Sequence, residues 1–572
     1  MNIFILDGDS NASRAVVQSL GRKGYTCWLG ATSTRHPAFA SRYVAEKILY
    51  PDPMADKAAF KAWIAGFVRT HQFDLVIPTT ERTLVPLHEM RADPVLAPIA
   101  AIPPPRALER SLDKEALRAL ATELGVPTPP SLLARSMKDL DDPRVDAWLE
   151  GGAIVVKSTK SKVWAGSSAK DFTTEIITRR DALLARVREQ VAMTPVQIQP
   201  WLPGRGVGVE LLVRRGEIVL SFAHERLHEL PLTGGGSSYR RAIETPAAML
   251  EDAARLARAL DYHGVAMVEY RFDPETGRYW LMEVNARFWG SLPLAIFAGA
   301  DFPAALVAMH LFDKRPDGPP PRTDVTARLF ARDLQWTKAI VKNREGGPYL
   351  LTRPLGESLL EWSRIFTGRE TWDGASLADP APLVQEVYEA AREEFSAMGR
   401  KLRRAALLQA AQRASRQRMR ELGNARRLLL LCHGNICRSA YAEARLRTDP
   451  RLAGVEVRSA GFHRAPGRKS PDHFRQVAAA RGVELETHRS RIVDPEDVRW
   501  ADAIVVMDQR NYDLLRELSP EALGKVVWLG SLGEGRGPEI ADPYSEAPEK
   551  IAVILDQMDR CLERFADSVQ AG

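Results

Sequence analysis

The sequence predicts a multidomain α/β protein, and three observations carry that prediction. With 572 residues the chain is too long for one hydrophobic core, so several domains are expected. Short apolar runs that end in small polar loops and lead into amphipathic stretches recur along it, as in parallel strand–helix units. Late in the chain, in LLLLCHGNICRSAYAEARLR, the four leucines Leu428 to Leu431 run straight into Cys432, which reads as a strand buried on both faces, then a loop, then a helix.

From the N-terminus, NIFILDGD followed by SNASRAVVQSLGRKGYTCWLG reads as strand, polar turn, helix and strand, and FDLVIPTTE repeats the strand-to-loop step. A parallel α/β domain over residues 1–110 is expected. It contains no GxGxxG, so nothing marks it as dinucleotide-binding. The proline cluster AIPPPRAL closes it, and SLDKEALRALATELGVPTPPS reads as a capped helix and a turn. Strands then alternate with helices from Gly151 to about Asp313, which sets a second domain at 111–320. The break RPDGPPPR, Arg315 to Arg322, opens a helical extension at 321–427, and a further α/β domain occupies 428–572.

Composition excludes several classes. Hydrophobic residues at 45% and charged residues at 27% fit a folded soluble protein rather than a disordered one. No apolar run approaches the roughly 18 residues of a membrane span. MNIFILDGDSNASRA lacks a basic leader region and meets an acid at Asp7, so it reads as a first strand and not as a signal peptide. Four cysteines make no disulfide framework, and a cytoplasmic location is expected. The net charge of +6 is concentrated: Arg400 to Arg427 holds ten Lys/Arg and one acid, Glu421, a net of +9, leaving −3 for the rest. That segment is rich in helix formers and reads as a connecting helix, about 28 residues spanning roughly 42 Å. A surface for anionic membrane or nucleic acid is the functional alternative. With no aromatic interleaved, nucleic acid is not an expected partner.

The spacing Cys432, five residues, Arg438, Ser439 has a chemical meaning. A loop between a strand end and a helix N-terminus gathers backbone N–H groups, and the helix dipole adds positive potential, so the concavity suits a dianion. A thiol held there beside a guanidinium is expected to ionise below about 8.5, in the range of roughly 3.5–7.5, and to act as a nucleophile. Arg438 can hold two phosphoryl oxygens at once. CHGNICRS, RSAGFH, HRSR, ADAIVVMDQRN and ADPYSE occur in the order seen in low-molecular-weight protein tyrosine phosphatases, which residues 428–568 resemble. The resemblance implies a doubly wound α/β domain with a parallel sheet and a phosphocysteine route that needs no cofactor. It implies Cys432 as nucleophile, Arg438 as phosphate ligand, Asn435 as keeper of the loop's left-handed turn and Ser439 as stabiliser of the leaving thiolate. Ser459 and His488 fall on the family's supporting hydrogen bonds, Asp542 on its general acid, and Tyr544 at the mouth. Cys437 takes the place of a redox partner that spares Cys432 from over-oxidation. His433 and Phe462 depart from the family's usual residues. Ile436 resembles the tyrosine-phosphatase branch, where the arginine-phosphatase branch carries Thr.

Earlier in the chain, YWLMEVNARFWGS places Glu283 and Asn285 two apart on one strand face, and Glu269 of VAMVEYR lies on the preceding strand across the turn DPETG. Three oxygen donors on adjacent strands suit Mg²⁺. The set resembles the ATP-grasp superfamily, within it the carbamoyl-phosphate-synthetase-like carboxylate–amine ligases, over about residues 1–390. The resemblance implies a pre-ATP-grasp Rossmann-like domain followed by an ATP-grasp α+β fold. It implies ATP and Mg²⁺ as cofactors, with Glu269, Glu283 and Asn285 on the metal and Lys114, Lys157, Gln199, Trp201, Leu202 and Glu210 on the nucleotide. The small-residue stretch STKSKVWAGSSA would close over phosphates, Arg287 would hold a phosphoryl or carboxylate group, and Arg226 lies on the substrate side.

The expected function is bifunctional: an ATP-dependent carboxylate–amine or thiol ligase working through an acyl phosphate, fused to a cysteine-dependent phosphomonoester phosphatase. Its partners are a small carboxylate, an amine, and a phosphotyrosine protein or small phosphate ester. An ATP-grasp kinase opposed by a phosphatase, and a nucleotide-gated phosphatase with a non-catalytic ATP-grasp module, are the alternatives. Intact Lys157, Glu283 and Asn285 argue against the last.

Overall fold

Asn2–Ile5 is a strand, Ser10 caps the helix Asn11–Arg22 by accepting from the Ser13 amide, and Thr26–Ala31 returns parallel to the first strand. Val44–Leu49 and Leu75–Ile77 complete a four-stranded parallel sheet in which Asn2–Ile5 and Thr26–Ala31 are central. This is the α/β arrangement expected for residues 1–110. The computed structural model describes residues 1–160, 162–165, 168–343, 346–533 and 537–570, and the chain divides into two units, Met1–Ala391 and Arg392–Gly572.

Among the described residues of the first unit three further sheets follow, one of them only the antiparallel pair Lys162–Ala165 and Ser168–Asp171. A small one pairs Leu132–Ala134, Val196–Pro200, Ile154–Ser158 and Glu175–Ile177, all antiparallel. A seven-stranded one runs Tyr279–Asn285, Gly264–Phe272, Arg205–Arg214, Glu217–Leu230, Gly236–Ile243, Thr326–Arg328 and Glu370–Trp372. The large sheet does not stop at residue 320, where a domain boundary was expected. Its last two strands come from the segment read as a helical extension, because buried charges tie that segment back. Arg240 pairs with Asp373, Arg328 with Asp333 and Glu370, and Arg14 reaches Glu386 at 2.5 Å. Asp379 accepts from Gln18 Nε2, from Ser41 Oγ at 2.6 Å and from the Arg42 amide.

The second unit holds a parallel sheet in the order Glu456–Gly461, Arg427–Cys432, Ala503–Val506, Val526–Trp528. Leu428 to Leu431 are fully buried in its centre, two facing each of the cores on either side. The helices Arg438–Arg447 and Pro548–Gln570 pack on one face, and Pro495–Trp500 and Gln509–Leu518 on the other.

The helix Ala381–Met419 contains the boundary between the units. Its basic end is no free spacer. Leu407, Leu408 and Ala411 pack on the core of the second unit, Ser415 Oγ accepts from the Trp528 amide at 3.0 Å, and Met419 is buried. Among the described residues no single helix is long and apolar enough to cross a membrane.

Candidate active sites

A cleft of about 540 Å³ lies in the first unit, lined by the small sheet on one side and the large sheet on the other. Asp113 caps the helix Lys114–Glu123 by accepting from the Glu115 and Ala116 amides, which sets Lys114 in the first turn with Nζ 3.1 Å from Glu283 Oε2. Glu269 and Glu283 face each other in register, and Asn285 Nδ2 donates to both, at 3.0 and 3.2 Å. Arg287 Nη2 donates to Asn285 Oδ1 at 2.8 Å, and Arg226 Nη2 stands 2.6 Å from Glu269 Oε2. Gly206 makes that reach possible: a Cβ there would lie 2.7 Å from Arg226 Cδ.

The charges are unevenly balanced. Lys114 holds the Glu283 carboxyl down to about 2. Burial raises Glu269, against the pull of Arg226. Lys157, buried on Ile154–Ser158, is lowered to about 7 by burial and then by the neighbouring charge of Lys114. The donor set fits Mg²⁺: two carboxylates and an amide oxygen are hard ligands, and the polyphosphate of a nucleotide completes such a site.

Gln199, Trp201 and Leu202 line the same cleft, with the Trp201 ring edge-on to Tyr349 at 5.3 Å. Glu210 does not line it, contrary to expectation. It lies farther along the strand that carries Gly206, wholly buried, with Ser291 Oγ donating to it at 3.0 Å and His224 Nδ1 3.0 Å away but making no hydrogen bond to it. Burial pushes its carboxyl well above the usual range, so it is unsuited to a charged ligand. Within the stretch proposed to close over phosphates, Ser161, Gly166 and Ser167 lie outside the described residues.

The thiol loop is built from consecutive residues. Cys432 ends the central strand, and its Sγ lies 3.1 Å from Ser439 Oγ and accepts from the Asn435 amide at 3.2 Å. Asn435 turns the chain at φ 49°. Its Nδ2 donates to Ser439 Oγ at 3.0 Å and Ser459 Oγ at 2.7 Å, its Oδ1 accepts from the Arg491 amide, and its carbonyl lies 2.7 Å from His488 Nε2. Every hydrogen-bonding group of this one side chain is used, so the left-handed turn is held from three sides. Gly461 allows the neighbouring strand to abut the loop, since a Cβ there would meet the Asn435 amide nitrogen and the His433 carbonyl at 2.9 Å. Arg438 is buried and pinned: Nη1 donates to Asp508 at 2.6 Å and the Ile540 carbonyl at 3.0 Å, and Nη2 to Asp542 at 2.8 Å. Burial pushes the Cys437 thiol up, which keeps it protonated. His433 Nε2 stands 3.3 Å from Arg510, and burial, then that guanidinium, lowers its pKa.

The family model described as low molecular weight phosphotyrosine protein phosphatase matches residues 427–572. The protein-arginine-phosphatase of Geobacillus stearothermophilus is 34% identical over 144 residues, 25% of this chain and 96% of that protein. The chain belongs to this phosphatase family. The low molecular weight protein-tyrosine-phosphatase Etp of Escherichia coli K12 is likewise 34% identical, over 24% of this chain and 91% of its own length. Residues 192–332 match the model described as ATP-grasp in the biosynthetic pathway with Ter operon. The crystal structure of N5-carboxyaminoimidazole synthetase from Staphylococcus aureus aligns with 64% of this chain and 97% of its own at 13% identity and a TM-score of 0.45. Matches to an ATP-grasp family model and to the phosphatase family model thus lie in one chain.

In the phosphatase domain Cys432, Asn435, Arg438, Ser439, Ser459, His488 and Asp542 converge on the loop. Two contributors went unnoticed in the sequence. Asp508, which orients Arg438, sits just past the strand Ala503–Val506, where an N-capping Asp before a helix was the available signal. Glu443, which accepts from Ser459 Oγ at 2.6 Å, lies one turn into the helix after the loop. In the cleft, Asn11 and Arg332 also line the wall, and no local pattern marks either.

Proposed function

We propose that the phosphatase domain hydrolyses an aryl phosphomonoester through a phosphocysteine. The observation that carries this is the Cys432 sulfur, held between the Ser439 hydroxyl and the Asn435 amide beside a buried arginine. The thiolate attacks phosphorus as the ester oxygen leaves, and Asp542 gives that oxygen its proton. The dianion takes Arg438 from Asp542, which couples substrate arrival to release of the acid. Water then attacks the phosphocysteine, with Asp542 accepting the proton. The departing thiolate is stabilised by Ser439 and the Asn435 amide. Ile436, Phe462 and Tyr544 favour an aryl group over a guanidinium. Relatives acting on either class are equally identical to this chain, so the loop residue is the better guide. Turnover of phosphotyrosine against phosphoarginine peptides tests it. A preference for phosphoarginine, or an Ile436→Thr variant with unchanged selectivity, would overturn the assignment.

We further propose that the ATP-grasp domain activates a carboxylate with ATP and joins it to an amine or thiol. The support is the cluster of Lys114, Lys157, Glu269, Glu283, Asn285 and Arg287 in one cleft of a chain matched to an ATP-grasp family. Glu269, Glu283 and Asn285 would hold Mg²⁺, which when bound neutralises charge developing on phosphoryl oxygens. Lys114 and Lys157 would bind phosphates, Arg287 and Arg226 would orient the carboxylate substrate, and Trp201 and Leu202 would pack on the adenine. The test is ADP release by the Cys432→Ser protein across a panel of carboxylates and amines. ADP formed with a phosphorylated product and no amine requirement would favour the kinase alternative.

A further inference from the structure

Large apolar side chains stand exposed along one stripe of the helix Ala381–Met419. Val384, Tyr388, Phe395, Met398 and Leu402 are 57% to 74% exposed. Singly, exposed apolar residues need no explanation, but these follow a rule. With exposed Ala391 and Ala405 they fall at 384, 388, 391, 395, 398, 402 and 405, steps of four and three in strict alternation. That is the spacing of the core positions of a two-stranded coiled coil. The seam used by the chain itself, through Leu407, Leu408 and Ala411, lies on other positions, and among the described residues no side chain of the stripe joins an apolar core of the second unit.

We propose that this stripe pairs with the same stripe of a second copy of the chain, antiparallel, about a two-fold axis between Ser396 and Ala397. Three features select that partner and direction. The first is size: the axis sets Phe395 against Met398 of the copy, small Ala391 against Leu402, and Tyr388 against small Ala405, so Tyr388 and Leu402 each meet a small residue, and Val384 at the end of the stripe meets Gln409. The second is charge: the flanking position Glu394 comes opposite Lys401 of the copy, twice by symmetry, and the acidic stretch Glu393–Glu394 meets the basic stretch beginning at Arg400. A parallel pair would align like with like. The third is Gly399, a residue that weakens a helix interior, yet a Cβ there would touch nothing within 4 Å in this chain. In the antiparallel pair it lies opposite Arg392 of the copy, whose long side chain can lie across the bare backbone there.

Sedimentation equilibrium of the full chain should give a dimer at micromolar concentration. Phe395→Asp with Leu402→Asp should halve the mass while leaving aryl phosphatase turnover unchanged, and its melting temperature should match that of the wild type diluted until monomeric, since both side chains are exposed. Glu394→Lys or Lys401→Glu alone should raise the dimer dissociation constant roughly tenfold, and the two together should restore it. A monomer at all concentrations overturns the proposal. So does a dimer indifferent to the aspartate substitutions, a double charge swap that does not rescue, or a wild-type chain that stays monomeric and floats with anionic lipid vesicles through these residues.

Discussion

The thiol loop and the cleft of the first unit both gather charged side chains, and they are built in opposite ways. Residues 432–439 form nearly the whole loop, and beside its thiol stand one buried arginine and the Asn435 amide. The cleft draws Lys114, Lys157, Arg226, Glu269, Glu283 and Arg287 from separate strands and helices, and its cations and carboxylates neutralise one another in pairs. A loop made by one turn of chain has a single arginine to free, from its pairing with Asp542, before it takes an anion. A cleft with several such pairs on separate elements needs them re-sorted together when a ligand binds.

The largest expected effect separates the two sites outright. Cys432→Ser should lower aryl phosphatase turnover on the order of 10⁵-fold, the scale on which loss of a covalent nucleophile is felt, while ATP turnover in the cleft is unchanged. Inorganic phosphate should still bind, measured by calorimetry. Asp542→Asn should cost about 10²–10⁴-fold with poor leaving groups and much less with good ones. Rates across phenols of rising pKa should therefore fall more steeply than in the wild type, and parallel slopes would point to a different acid.

The contrast sharpens under chelation. EDTA should abolish ADP release and leave aryl phosphate hydrolysis intact. Glu283→Gln should lower ADP release roughly 10–100-fold, the range of disturbed metal sites, with little change in melting temperature. A variant that melts early yet still releases ADP would remove Glu283 from the metal.

The smallest effect is a proton. Nucleotide phosphates should raise Lys157 from about 7 toward its ordinary value, so binding takes up to about one proton at pH 8 and almost none below about pH 6, where the lysine is already charged. Calorimetry in buffers of different ionisation enthalpy reads this, and Lys157→Met should erase it. In the free protein the unfolded chain keeps the proton that folded Lys157 has lost. Its contribution to stability therefore rises with pH between about 7 and 10.5.

The same contrast explains what the sequence made legible. The phosphatase loop could be read residue by residue because its geometry is local: strand end, five residues, helix start. Ser459, His488 and Asp542 were placed by resemblance, and the structure brings all three to the loop. The cleft was legible only where a strand pattern is local, as at Glu283 and Asn285. Glu210 was misplaced because alternation along a strand tells which face a residue takes, not whether another strand's histidine covers it. Asn11 and Arg332 reach the cleft only through tertiary packing. The basic helix was read as a solvated spacer because its apolar contacts, Leu407, Leu408 and Ala411, are few among many charges.

The short strand Thr326–Arg328 has a practical meaning. It covers the outer side of Gly236–Ile243, and Glu370–Trp372 covers it in turn. A chain trimmed at residue 320 would leave Gly236–Ile243 with a bare row of amides and carbonyls, and Arg240 would be buried without Asp373. Such a fragment should clump edge to edge on expression, however complete its ATP-grasp segment looks on paper. The excised domain that stays in solution is one that keeps the residues after the proline-rich break.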